Sequence, residues 1–389
     1  MKRMNRRSFF KGTGLVLGAA AAETARPGLA ASGAPQAQIP GTPVDFRYAP
    51  LSWQTAFCFP DDPHKSLAGE RGELRYGHPG QGKGADYFPT VVEFSLRGME
   101  TNQVVRQELE APAVPIIHTR IDRAEAFLEL TTFASNDPGE GRVDNVMLEV
   151  RARTRERIRA APLVVLKTRQ EARVRNESGR GQVRLGGEGA PLFLASSSPL
   201  RGEDAGREFL LAAKEATATG ERPLRCFFRF PQEGQSFERI QAGLDSPERL
   251  LEQARQYWQR QPSFGGKVRW KLAGQHDHFL AACARNILQA REVSQGRLIF
   301  QVGPTVYRGL WVVDGNFILE AARYLGYDAE VQQGLEATWA RQQSDGGIFA
   351  GGGKEHWKDT GIAMFTLVRQ AELSQDWSYF RAMQPNVLK

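Results

Sequence analysis

The chain has little cysteine and no long apolar run, and each shortage excludes a class of protein. The three cysteines in 389 residues, Cys58, Cys226 and Cys283, are far apart, odd in number and never spaced as C-x-x-C, so neither a disulfide framework nor a thiolate zinc site is indicated. The apolar run from Gly12 to Ala22 is about eleven residues diluted by Gly and Ala, against the ~20 that a membrane-spanning helix needs, and no stable membrane span is expected. Positive charge is scarcer than its total suggests. The formal charge is +7, but most of it sits on Lys2, Arg3, Arg6, Arg7, Lys11 and Arg26, opposed there only by Glu23, and the rest of the chain is close to neutral. No nucleic-acid partner is therefore expected. With 41% hydrophobic and 24% charged residues, the composition is that of a globular protein of about two domains.

The stretch Asn5-Arg6-Arg7-Ser8-Phe9-Phe10-Lys11, followed by that short apolar run, has the charged start and h-region of an export signal, and the paired arginines mark the twin-arginine route. Residues 1–37 are read as a twin-arginine signal peptide, engaged by the twin-arginine export machinery and cleaved among the small residues between Gly28 and Ala37. The mature chain is expected in the periplasm or secreted. The plainer alternative is an exposed basic N-terminal arm.

Two periodicities divide the remainder. From Val44 to about Phe230, short apolar or alternating runs are separated by Gly, Pro and Asn/Asp clusters, the signature of strands and turns. Thr90 to Leu96, Val114 to Arg120, Ala126 to Phe133, Asn145 to Ala152 and Cys226 to Phe230 are examples, with a turn at Asn176-Glu177-Ser178-Gly179. Many strands with no intervening helical period predict an antiparallel β-sandwich over residues 44–235. At Asp245-Ser246-Pro247-Glu248 the pattern turns helical, with Ser246 placed as N-cap and Pro247 at the first helical position, opening a linker helix over residues 245–265. Apolar stripes near a 3.6-residue period follow: Phe279, Leu280, Cys283, Ile287 and Leu288; Phe317, Ile318, Ala321 and Leu325; Val331, Leu335 and Trp339; Ile362, Phe365, Leu367 and Ala371. A further helix is expected from near Asp376, and Gln384-Pro385 reads as a fresh helix start. Short Gly-containing loops predict antiparallel sequential neighbours.

Alternating helices bring the loop Tyr307 to Asn316 and the loop Ser344 to Asp359 to the same end of the bundle. The first holds Arg308, Trp311 and Asp314; the second holds Asp345-Gly346-Gly347-Ile348, Glu355, His356, Trp357 and Asp359. Carboxylates and an arginine suit sugar hydroxyls, and an indole suits the C–H face of a sugar ring. Six of the seven tryptophans lie at or after Trp258, on the half where such a site would be.

These strings, Tyr307 to Phe317, Asp345 to Ile348, and Trp357-Lys358-Asp359-Thr360-Gly361-Ile362-Ala363, resemble the first hairpins of the six-hairpin glycosidases, a superfamily that includes glucoamylases, trehalases, α-L-rhamnosidases and disaccharide phosphorylases. The resemblance covers Asp245 to Lys389 by motif and the preceding half by architecture. It implies a multidomain β plus α fold: an N-terminal antiparallel β-sandwich, a helical linker, and, over residues 270–389, part of an (α/α)6 toroid. A full barrel has six hairpins and this chain supplies about two and a half, so a truncated fragment is expected. In the glucoamylase-like members a W-x-x-D element before the second helix binds the terminal sugar, and Trp311 to Asp314 match it.

The resemblance further implies acid/base hydrolysis of an oligo- or polysaccharide, usually with inversion, for which a carboxyl pair stands roughly 6.5–9.5 Å apart. The catalytic candidates are Glu355, as the acid that Trp357 would desolvate, and Asp314, more a sugar clamp than a proton donor. Arg308, Trp311, Trp357 and Asp359 are the substrate-binding candidates. No metal or organic cofactor is indicated.

Each assignment keeps a plainer reading: Asp314 and Asp359 as helix caps, Glu355 as a solvated loop acid, Trp311 and Trp357 as packing. The Arg-rich run Arg151 to Arg159 reads as a solvated strand edge. A disaccharide phosphorylase, a polysaccharide lyase or a non-catalytic glycan-binding protein are the alternatives to a hydrolase.

Overall fold

A computed structural model of the chain describes residues 54–76, 88–98, 105–261, 276–294, 296–303, 309–349 and 356–389. The proposed signal peptide, Arg308 and Glu355 lie outside the described residues.

The first half folds as two antiparallel sheets packed face to face. One has seven strands, in spatial order Gln54–Ala56, Leu67–Gly69, Leu74–Tyr76, Thr90–Leu96, Pro162–Thr168, Phe209–Ala213 and Leu200–Asp204. The other has eight: Ala172–Glu177, Arg180–Leu185, Leu192–Ser196, Leu224–Pro231, Gly141–Ala152, Ala126–Asp137, Val114–Asp122 and Val105–Ala111. Alternation sets which side each residue faces. In Thr90–Leu96 every second residue is buried, and Phe94 meets Phe228 and Phe230 of the opposite sheet at 5.8 and 6.5 Å. Each such phenylalanine contributes roughly 1.5–3 kcal/mol by leaving water. The predicted turn at Ser178-Gly179 is present, with both residues at positive φ (50° and 78°), the pair a two-residue hairpin requires.

The arginine-rich run is solvated, but only its end, Ile158–Ala160, is a strand edge. Arg151 closes Gly141–Ala152, an interior strand paired on both sides, and ion-pairs with Glu149 and Glu129; the run then crosses a turn into the short strand Ile158–Ala160. Deeper in the sandwich, Arg142 is buried between Asp62 (2.6 Å) and Asp144 (2.5 Å). Burial opposes its charge, but Asp144 and Asp62 outweigh that and hold its proton affinity above the usual arginine range.

Helices follow: α1 (Pro247–Arg260), α2 (His276–Ala290), α3 (Val312–Tyr324), α4 (Asp328–Trp339), α5 (Lys358–Ser374) and α6 (Ser378–Val387). Pro247 does occupy the first turn of α1, but the Ser246 side chain makes no capping hydrogen bond there. Pro385 lies inside α6 and starts no new helix. None of the described helices is long and apolar enough to cross a membrane.

The sandwich is fastened to α2 at that helix's C-terminus, where the last carbonyls lack partners within the helix. Lys65 Nζ donates to the carbonyls of Gln289 (2.7 Å) and Arg291 (2.5 Å), and the Asp61 backbone N–H donates to that of Leu288. Gln289 Nε2 reaches back to the Ala56 and Cys58 carbonyls, and Arg291 makes a two-pronged pair with Asp61 at 2.8 Å on each side.

The same end of α2 sits beside the α3–α4 turn, where the Arg291 guanidinium lies 5.5 Å from the Tyr327 ring centre. This corrects the expectation of strict alternation. α2 and α3 both end at this turn and run the same way, because the connection between them is no short loop but a 21-residue segment. It contains the hairpin Glu292–Ser294 with Arg297–Ile299, which climbs along α4. From α3 onward the α3–α4 and α5–α6 turns are short while residues 340–357 join α4 to α5, and α3 and α5 begin at the same end.

Two stripe assignments also change. Phe317 and Phe365 are exposed (67% and 57%), as is Phe279 (68%), and Leu319, Ala322, Asn316 and Thr366, outside the expected stripes, are buried. Small and polar residues let α3 and α5 approach closely: Thr366 Oγ1 donates to Asn316 Oδ1 at 3.1 Å across that contact. These helices carry apolar residues on two faces, so a period alone mixes them: Leu325, Leu367 and Ala371 of the expected stripes are buried and the phenylalanines are not.

Candidate active site

The end of the bundle where α3 and α5 begin gathers most of the described candidates. Trp311 is the N-cap residue of α3, with extended backbone (φ −67°, ψ 138°), and its carbonyl accepts from the Gly315 N–H at 2.6 Å. That position fixes the indole just outside the helix. Gly315 is needed where it stands: a Cβ would come within 2.9 Å of the Leu310 side chain, which packs over the first turn. Asp314 lies in that turn and is exposed. It is not the cap.

Opposite, His356 and Trp357 lead into α5, and the His356 ring meets the Trp311 indole edge-on, with centroids 5.9 Å apart. Two residues on, Asp359 is buried at 1% exposure, its own N–H donating to the His356 carbonyl at 2.9 Å. It too lies one step inside the helix, since Trp357 holds the N-cap position. Trp357 is 79% exposed, so it is no buried wall and supplies little desolvation; the half-buried indole at this mouth is Trp311.

The glycine-rich turn before α5 is held from both sides. Gly346 has φ +87°, Asp345 Oδ1 accepts from the Gly347 N–H at 3.1 Å, and Thr360 Oγ1 accepts from the Ile348 N–H at 3.0 Å. Asp345 is therefore a turn former.

One residue that the sequence reading passed over ties the two loops together. Arg341, at the end of α4, donates through Nη1 to the Leu310 carbonyl and lies within electrostatic reach of Asp359. Burial pulls its proton affinity below the usual arginine range, and Asp359 works against that pull. His356 was likewise quoted within a motif and given no role. The only sequence signal for either was proximity: His356 adjoins Glu355 and Trp357, and Arg341 precedes Asp345 by four residues.

No known protein family matches the sequence, and no curated protein does. Solved structures do. A bacterial glucoamylase complexed with acarbose superposes with a TM-score of 0.51 at 7% identity, covering 79% of this chain and 52% of the glucoamylase. A putative kojibiose phosphorylase from the human microbiome gives 0.46 at 9%, covering 83% of this chain and 49% of the other. The chain thus spans about half the length of these proteins. The likeness is one of fold: like that glucoamylase, the chain places an antiparallel β-sandwich before a set of helices.

Proposed function

We infer that the protein is a carbohydrate-active enzyme, a glycoside hydrolase acting on an oligo- or polysaccharide held at the mouth where α3 and α5 begin. The observation that carries this is the Trp311 indole set against His356, with Asp314 in the first turn of α3 and Asp359 in the first turn of α5, on a glucoamylase-like scaffold.

The roles follow from the chemistry of each group. A half-buried indole offers a flat apolar face for a sugar ring. Asp314, exposed at the rim, accepts hydrogen bonds from two adjacent hydroxyls and serves as a clamp. Arg341 and Asp359 position the two loops relative to each other. Glu355, one residue before His356, is assigned the proton-donor role, and Arg308 and Trp357 further sugar contacts. Cleavage by inversion then needs a second carboxylate to activate water on the opposite ring face.

The test is release of reducing sugar from a panel of α- and β-linked oligosaccharides, run with and without inorganic phosphate. Release independent of phosphate supports hydrolysis; release only with phosphate identifies a phosphorylase, and an unsaturated product identifies a lyase. Saccharide binding without any product defeats the enzyme reading.

We further propose export by the twin-arginine route, on the Arg6-Arg7 motif and the short apolar run behind it. Replacing both arginines by lysine should hold the protein in the cytoplasm, and unchanged export of that variant would dismiss the assignment.

A further inference from the structure

The end of the bundle opposite the mouth holds a pocket of about 640 Å³ between the close of α3, the start of α4, the close of α5 and the start of α6. We propose that it is a second binding site, for a neutral polyhydroxylated molecule of mono- or disaccharide size.

Its volume falls within the range of small-molecule sites, and its chemistry is mixed in a way that selects hydroxyls. Gln370 is 98% buried. Its Oε1 accepts from Arg323 Nε at 3.0 Å, which fixes the amide's orientation and leaves Nε2 buried with no hydrogen-bond partner among the described residues. A buried N–H without an acceptor is destabilising, and an oxygen brought to the pocket by a ligand relieves it.

Asp328, paired with Arg323 at 2.9 Å, and the exposed Asp376 line the same pocket and can only accept. The ligand must therefore accept at one point and donate at others, as hydroxyls do and as neither a carboxylate nor an ammonium group does. Two carboxylates against one guanidinium also disfavour an anion. Leu335 and Phe380 give the apolar wall on which a C–H face rests. Tyr379, whose hydroxyl burial pushes up to about 12, remains a neutral donor beside them.

The proposal stands apart from the reading of the mouth, and its test separates the two. The full chain is titrated calorimetrically with D-glucose, maltose and, as a charge control, D-glucuronate. Saturable binding of a neutral sugar is expected to survive Trp311→Ala, which strips the mouth. It is expected to weaken about tenfold or more in Gln370→Glu, a variant that keeps an acceptor for Arg323 but puts an oxygen where the unpartnered N–H stood. Asp376→Asn, which keeps an oxygen for the Ser378 N–H at the start of α6, should weaken it as well, and glucuronate should bind more weakly than glucose. No saturable heat with either neutral sugar, or binding that both pocket variants leave unchanged, would overturn the proposal.

Discussion

Asp314 and Glu355 carry different burdens if the mouth holds a sugar. Asp314 is exposed and makes no cap, so its removal should leave the fold alone. Asp314→Asn and Glu355→Gln are each expected to lower turnover sharply, for Glu355 by roughly 10²–10⁴-fold if it is the acid, with melting temperatures nearly unchanged. Thermal melts beside initial rates check this; a large fall in melting temperature with turnover intact would make both residues structural. At this scale the sequence was informative only about which candidates lie at one end of the bundle. The W-x-x-D string located Trp311 and Asp314 at one helix start, because a motif fixes local geometry. It could not rank the two indoles. Trp311 is half buried against His356 while Trp357 stands in solvent, a difference set by how α4 and α5 pack around the loops.

At the scale of elements, the joint between sandwich and helices is built from polar contacts that no periodicity reveals. Glu110 of the strand Val105–Ala111 is gripped by Arg255 of α1, with Oε2 accepting from Nη2 at 2.9 Å. The hydrogen bonds from Arg255 hold the Glu110 carboxyl below the ordinary glutamate value, against the opposing effect of partial burial. The folded-state affinity for a proton is thus lower than the unfolded one. The stabilisation is fully present above about pH 4.3 and is lost as pH falls through the folded value. Chemical denaturation at stepped pH should show the wild type losing more stability than Glu110→Gln across that acidic window, whereas parallel pH profiles would mean that the pair contributes nothing. Element types were well forecast. The strand Thr90–Leu96 was placed to the residue, and α1 to α6 were all foreseen. Direction failed at α2, where a hairpin replaces the expected short loop, and the buried faces at α3 and α5 were foreseen only in part: Leu325, Leu367 and Ala371 bury as expected, but so do Asn316 and Thr366, and Phe317 and Phe365 do not. Polar residues that pair across a helix contact look solvent-facing until the partner is known.

For the whole molecule, the sandwich does more than precede the helices. Lys65, Asp61 and Gln289 bind it to the end of α2, and α2 packs against the helix that starts at Trp311 through Ala284, Leu288 and Leu319. The placement of the mouth therefore depends on contacts some distance from it. The account's central claim is that this mouth holds a saccharide against the Trp311 indole. The most direct measurement is KM and kcat for oligosaccharide cleavage by the full chain, by Trp311→Phe and by Trp311→Ala, with circular dichroism to confirm that each is folded. The account predicts that phenylalanine largely preserves KM and alanine raises it about tenfold or more, as expected for loss of a stacking face. An unchanged KM in Trp311→Ala would contradict it.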